Sequence, residues 1–306
     1  MDYILALFQG VVQGLTEFLP VSSSGHLNIM QHFFGITEGN LFFNVMLHVG
    51  TLVSVCFFYR KLILRLIKSL IDLIKDIFAG KFSFKNMDED RNLLIMLMIG
   101  LIPLFLLFIP IGNDMKVKDL ADIMSSDASY FFVTGICLLV TSILLTVGIL
   151  MSKRTKKLLE EKKIAPKERY NVVDSLVVGV VQAVAAIFPG ISRSGSTLAA
   201  GQLRGIDKQK ALDYTFVLGM PAIVAAALLE GLDVLKSPET LNVEFGPVIV
   251  GMIAAAVVGY FAIALFKWLL KTDKTYVFVI YTAVAGLIVL GVSIYEKVSG
   301  SVVTFV

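Results

Sequence analysis

The sequence predicts an all-α polytopic membrane protein. It has six transmembrane helices plus two re-entrant helix pairs, arranged as an inverted-topology repeat in a single integral membrane domain. Three observations predict it. Of 306 residues, 57% are hydrophobic and 17% charged, where soluble domains carry about 45–50% and about 25%; the mean hydropathy of +0.82 is spread along the whole chain. Basic and acidic loops alternate. A polar, proline-interrupted apolar motif occurs twice. The net charge of +3 fits basic loops on one side of a bilayer and gives no sign of a nucleic acid partner.

In chain order, runs of roughly 17–25 apolar residues, enough to cross hydrocarbon, lie at about 41–60, 92–112, 130–151, 211–231, 246–268 and 275–295. Two further apolar regions, about 1–35 and 172–205, are broken in the middle by Pro and Gly. No basic n-region precedes the first apolar run, so this end is expected to be mature sequence. Cys56 and Cys137 lie in separate apolar runs and read as buried small hydrophobes. The loops assign sides. The run 153–170 is strongly basic, as are 266–274 and the start of 60–91, with Arg60, Lys61, Arg65 and Lys68. The loop 113–129 holds Asp114, Asp119, Asp122 and Asp127, and 231–245 holds Asp233, Glu239 and Glu244. By the positive-inside rule the first group is cytoplasmic and the second exterior. Parity then requires 172–205 to enter and leave on the cytoplasmic side, and 1–35 to enter and leave on the exterior side. Backbone breaks at membrane depth are tolerated where they are buried in protein or line a wet cavity.

The two broken regions are copies. "GVVQGLTEFLPVSSSG" (10–25) aligns with "GVVQAVAAIFPGISRSG" (179–195), Pro20 answering Pro189 and Gly25 answering Gly195. More weakly, "FNVMLHVGTLVSV" (43–55) resembles "YTFVLGMPAIVAA" (214–226). The repeats divide the chain at approximately 1–151 and 152–306. Opposite entry sides make the repeat inverted, and in such folds the breaks meet near the midplane to form the binding site.

The pooled polar residues suit an anion. Gln13 and Glu17, four apart, share a helix face, and can point an amide and a carboxylate at one ligand or metal. The planar fork of Arg193 matches phosphate oxygens. Hydroxyls beside glycines at a helix start, from Ser22, Ser23 and Ser24 in one copy and Ser192, Ser194, Ser196 and Thr197 in the other, add donors. His26 near a serine offers a base or a nucleophile. Taken singly, each serine reads as a residue bonded to its own helix, and His32 and His48 read as packing residues. Glu17 and Arg193 do not, because an ionisable group inside the membrane points to function. A lipid-phosphate transporter or flippase with an outward-facing anion site is the alternative, since inverted repeats with broken helices are common in transporters.

"QGLTEFLPVSSSGHL" and "PGISRSGST" resemble the two signature motifs of the undecaprenyl-diphosphate phosphatase family, the bacitracin-resistance membrane phosphatases. The resemblance covers most of the chain. It implies a multi-pass enzyme of the bacterial plasma (inner) membrane, its site facing the exterior or periplasm. The enzyme would remove the terminal phosphate of the C55 isoprenyl diphosphate and so regenerate the lipid carrier of peptidoglycan synthesis. It implies a divalent cation, Mg2+ or Ca2+, with Glu17 as metal residue; the position four before it is Gln13 where other members have Glu. The catalytic residues it implies are Glu17, Ser23, His26 and Arg193, with Gln13, Ser22, Ser24, Ser192, Ser194 and Thr197 binding substrate. Ser23 attacking phosphorus with His26 and Glu17 assisting is the favoured reading, while a histidine nucleophile and direct attack by water stay open. The expected partners are the polyprenyl diphosphate and membrane lipid, with a homodimer as the candidate assembly.

Overall fold

The computed structural model describes residues 3–34, 41–81, 87–112, 115–126, 128–164, 167, 169–236 and 245–304. Asp114, Asp127, Glu239 and Glu244 of the acidic loops lie outside them. The chain is helical nearly throughout, in the order α1 (Tyr3–Phe18), α2 (Ser23–Phe34), α3 (Leu41–Phe58), α4 (Arg60–Phe78), α5 (Glu89–Leu101), α6 (Asp119–Ser126), α7 (Phe131–Glu160), α8 (Val172–Ile187), α9 (Arg193–Leu203), α10 (Lys208–Lys236), α11 (Phe245–Lys271) and α12 (Tyr276–Ser299). Among the described residues five helices are long and apolar enough to cross a membrane, and six when the bent pair of α3 and α4 counts as one span. Their outward faces are apolar: Phe105, Ile143, Phe261 and Leu287 are all exposed. That is the surface a bilayer covers.

Both proline breaks fall where the sequence places them. α1 ends at Phe18 and α2 begins at Ser23; α8 ends at Ile187 and α9 begins at Arg193. Chain reversal at the second break uses Gly190 at φ +101°, and at the first it forces Ser22 to φ +72°, a left-handed conformation unusual without glycine. α1 packs against α2, and α8 against α9. α8 begins with a capping box in which Asn171 and Asp174 exchange side-chain-to-backbone bonds, satisfying donors the first turn would leave bare.

Three expectations are corrected. The stretch from 60 onward is no loop: α4 runs 19 residues and turns 84° from α3. Leu66 and Leu73 are buried against the protein, whereas Leu64, Ile67 and Ile71 are exposed among lysines and arginines. A basic amphipathic helix at right angles to a span suits the plane of the interface. The run 92–112 stays helical only to Phe108: Pro103 opens a 3-10 segment (Ile102–Phe108), and Pro110 starts a small antiparallel hairpin of β1 (Pro110–Gly112) and β2 (Met115–Lys116). A proline cannot donate to the preceding turn. Of the cysteines, Cys137 is buried but Cys56 is exposed on the outer face of α3.

The core is aromatic where α1, α3, α10, α11 and α12 meet: Phe18, Tyr59 and Phe266 gather around Phe216, and Phe278 packs on Phe266, with Phe18 and Phe216 edge to face at 5.6 Å. Elsewhere helices touch backbone to backbone. On α1 a Cβ at Gly14 would stand 2.8 Å from the carbonyl oxygen of Ala255 and 2.9 Å from the nitrogen of Gly259, the close approach that small residues permit in membrane bundles. Gly14→Ala therefore forces α1 off α11 and lowers stability by about 1–3 kcal/mol. Gly291→Ala, where nothing lies within 4 Å, causes no loss. Melting of both variants in detergent checks the contrast; equal melting points would show that this contact is loose.

Candidate active site

The two breaks interlock. A Cβ at Gly25 would sit 3.0 Å from Gly190, and one at Gly195 would sit 3.0 Å from the Pro20 side chain. Ser194 Oγ donates to the Leu19 carbonyl at 3.2 Å. α7 clamps the second break, Thr141 Oγ1 donating to the Gly190 carbonyl at 3.0 Å and accepting from the Ser192 N–H at 2.9 Å. Each break is capped alike: Ser22 Oγ accepts from the Gly25 N–H at 3.2 Å, and Ser192 Oγ from the Gly195 N–H at 3.1 Å. The residues that follow these caps, Ser23 and Arg193, are the first of α2 and α9. Corresponding positions of the two copies thus supply a hydroxyl and a guanidinium.

Both reach Glu17, buried in the last turn of α1. Ser23 Oγ donates to Glu17 Oε2 at 2.7 Å, Gln13 Nε2 donates to the same oxygen at 3.1 Å, and Arg193 Nη2 donates to Glu17 Oε1. The Arg193 side chain keeps 27% of its surface exposed while that of Glu17 keeps 4%. Glu17 is thus buried while Arg193 stays partly exposed. Two helix N-termini converge here, and their positive dipole ends favour an anion. A hydroxyl on a carboxylate, beside a partly exposed guanidinium, is the arrangement of an activated nucleophile next to an anion clamp.

The other expected residues divide. Ser24 is exposed at the same helix start, its Oγ 3.3 Å from Ser22 Oγ. Ser22, Ser192 and Ser194 are buried with their hydroxyls in the contacts just described, Ser194 Oγ also lying 3.3 Å from Ser192 Oγ. Thr197 and Ser196 donate back to the Arg193 carbonyl at 2.7 and 3.2 Å. His26 is not brought to the cluster. Its Nδ1–H donates to the Ser22 carbonyl at 2.7 Å, which leaves Nε2 to accept from the Tyr281 hydroxyl at 2.6 Å. Both ring nitrogens are engaged, and the histidine ties α2 to α12. His32 is a packing residue, its Nε2 2.8 Å from Glu296 Oε1 and its ring stacked on Phe131.

His48, read from the sequence as a packing residue, also lies beside the Glu17 carboxylate. Its Nε2 lies 4.0 Å from Glu17 Oε2 and its Nδ1–H donates to the Asn44 carbonyl at 2.9 Å. The weaker half of the repeat held the signal. His48 aligns with Gly219, and a Cβ at Gly219 would stand 3.7 Å from the Arg193 guanidinium carbon. Both positions face the site, and one carries a side chain with chemistry.

The signature profile of the bacitracin resistance protein BacA family matches residues 6–288. The chain is 36% identical to the undecaprenyl-diphosphatase of Alkaliphilus metalliredigens over 294 residues, covering 95% of this chain and 98% of that one. It is 35% identical to the undecaprenyl-diphosphatase of Desulfosudis oleivorans, covering 94% and 97%, and 32% identical to that of Methanosphaera stadtmanae, covering 96% and 99%.

Proposed function

The chain belongs to the bacitracin resistance protein BacA family, and from that membership and the cluster around Glu17 we infer that it is an undecaprenyl-diphosphatase. It hydrolyses the terminal phosphate of C55 isoprenyl diphosphate, regenerates the undecaprenyl phosphate carrier for peptidoglycan synthesis, and thereby confers bacitracin resistance. No observation favours the transporter alternative. The observation that carries the reading is the convergence of Ser23 and Arg193 on one buried carboxylate.

Glu17 takes the proton of Ser23 as its oxygen attacks the terminal phosphorus. The bond from that phosphorus to the bridging oxygen breaks, and the lipid monophosphate leaves. Water then attacks the phosphoserine, phosphate departs, and Glu17 returns a proton to the serine oxygen. Arg193, partly exposed, carries N–H groups that match the phosphoryl oxygens as they gain charge, where most catalysis of phosphoryl transfer resides. Ser24, exposed in the first turn of α2, adds a hydroxyl donor there. Ser22, Ser192, Ser194 and Thr197 act by fixing the starts of α2 and α9. His26 acts by pinning Ser23's helix to α12.

The divalent cation that the resemblance implies is consistent with the donors present. Gln13 Oε1 is buried and, among the described residues, has no hydrogen-bond partner; the amide now faces Glu17 through Nε2, and a half-turn of it would set a carbonyl-type oxygen next to the carboxylate, a usual start to such a site. Gln13 and Glu17 would hold the ion, which supplies positive charge to the phosphoryl oxygens when bound.

Purified protein in detergent is expected to release phosphate from a polyprenyl diphosphate, and to lose that activity in EDTA. Lipid transfer without phosphate release would overturn the reading. Arg193→Lys keeps the charge and loses the fork, so kcat falls by about 10²; wild-type turnover in that variant removes Arg193 from the reaction. The site faces the exterior of a bacterial plasma membrane, as the loop charges support. In intact cells, a cysteine placed at Asp119 reacts with an impermeant thiol reagent and one at Lys163 does not. The reverse pattern inverts the topology.

A further inference from the structure

The position of His48 has a use. We propose that His48 is a ligand of the divalent cation at Glu17, completing with Gln13 Oε1 a mixed nitrogen–oxygen site that takes Mn2+ or Co2+ in preference to Ca2+. The proposal rests on the phosphatase reading for the presence of a cation, and on this chain's own geometry for the ligand.

Four observations carry it. First, the separation of His48 Nε2 from Glu17 Oε2 is 4.0 Å, too long for a hydrogen bond. It lies within the span of two donors on one ion, since each metal–ligand bond is about 2.0–2.2 Å. Second, the Nδ1–H of His48 is fixed on the Asn44 carbonyl at 2.9 Å. That sets the tautomer with the Nε2 lone pair toward the carboxylate, the way ligating histidines are oriented by their outer partners. Third, Gln13 Oε1 is buried and, among the described residues, without a hydrogen-bond partner; the amide faces Glu17 through Nε2, and a half-turn of it on arrival of a cation would bring Oε1 to the ion and repair that deficit. Fourth, the imidazole is only 29% exposed yet sits beside a carboxylate exposed by 4%, so the space between them is sheltered. Among the described residues no three His, Cys, Asp or Glu side chains converge, so two such donors and one amide make the set. In the second copy the matching positions are Gln182, Ala186 and Gly219. The donor set therefore exists once, on the first copy, and Arg193 approaches Glu17 from the other. First-row divalent ions accept an imidazole nitrogen beside oxygen donors, Co2+ more tightly than Mn2+, whereas Ca2+ takes oxygen ligands.

The test uses full-length protein in detergent, stripped with chelator and titrated with Mn2+. Paramagnetic resonance of free Mn2+ gives affinity, and pulsed hyperfine spectra of bound Mn2+ reveal coordinated imidazole nitrogen. Wild type is expected to bind one Mn2+ with a nitrogen signal. His48→Gln is expected to lose that signal and bind at least about tenfold more weakly, while His26→Ala keeps it. The spectrum on wild type needs no variant to fold. Bound Mn2+ without imidazole nitrogen, or a signal that persists in His48→Gln, overturns the proposal. So does an absence of Mn2+ binding. Phosphate release measured on the same preparation separates the two readings. Hydrolysis without the nitrogen signal removes His48 as a ligand and leaves the phosphatase. The nitrogen signal without hydrolysis keeps the ligand set and removes the phosphatase.

Discussion

Glu17→Gln lowers kcat by about 10³, a loss of the size expected when the group that activates a nucleophile and orders the charges around it is removed. Ser23, Gln13 and Arg193 all donate to this one carboxylate. A carboxylate only accepts, so it satisfies three donors together. Glutamine keeps one accepting oxygen and presents an NH2 group on the other side; the Ser23 hydroxyl can turn to accept from it, but a donor meets a donor at either the Gln13 NH2 or Arg193. The guanidinium also loses its counter-charge at the positive end of α9, where a cation is disfavoured. We therefore expect a stability loss of about 1–3 kcal/mol along with the catalytic one. Stopped-time phosphate release and melting in detergent measure the two separately. A kcat within tenfold of wild type would mean that Ser23 does not hand its proton to Glu17.

That two-part result sets out what was legible in the sequence. Pro20 and Pro189, with the GVVQ match, located both breaks to within a few residues, because a proline break and a repeated tetrapeptide are local signals. Glu17 and Arg193 stood out because a charge within an apolar run is expensive wherever it packs. What each serine does was not legible. Ser22 and Ser192 became caps, and Thr197 bonded to its own helix, whereas Ser23 faced a carboxylate; that difference depends on the turn from Pro20 to Ser23. α4 escaped because its charges drew attention to sidedness while its 3.6-residue apolar period went uncounted. His48 escaped for another reason. One histidine in an apolar helix says nothing until α3 lies beside α1, a contact made across some thirty residues of chain and invisible to any local pattern.

Ser23→Ala is expected to lower kcat by about 10³ or more while leaving the fold intact. Among the described residues its hydroxyl bonds to Glu17 and to no backbone group, and Glu17 retains Arg193 and Gln13 when that bond is gone. His26→Ala has a different expected pattern. With Nδ1–H on the Ser22 carbonyl and Nε2 on the Tyr281 hydroxyl, the ring holds the first turn of α2 against α12. Removing it loosens Ser23 and slows turnover by about tenfold, on the order of what misplacing a reacting group costs. Tyr281→Phe, which cuts only the outer of those two bonds, should move activity in the same direction by less. The covalent intermediate decides between the residues directly. Protein quenched in acid during turnover of a substrate labelled on its terminal phosphate should carry the label at Ser23. A phosphoserine ester survives the acid, whereas a phosphohistidine does not. Acid-stable label in wild type and none in Ser23→Ala fixes the serine as nucleophile. If instead Ser23→Ala turns over at a substantial rate and His26→Ala is inactive, the imidazole leaves Tyr281 to attack phosphorus itself, and the 2.6 Å contact seen here is a resting state.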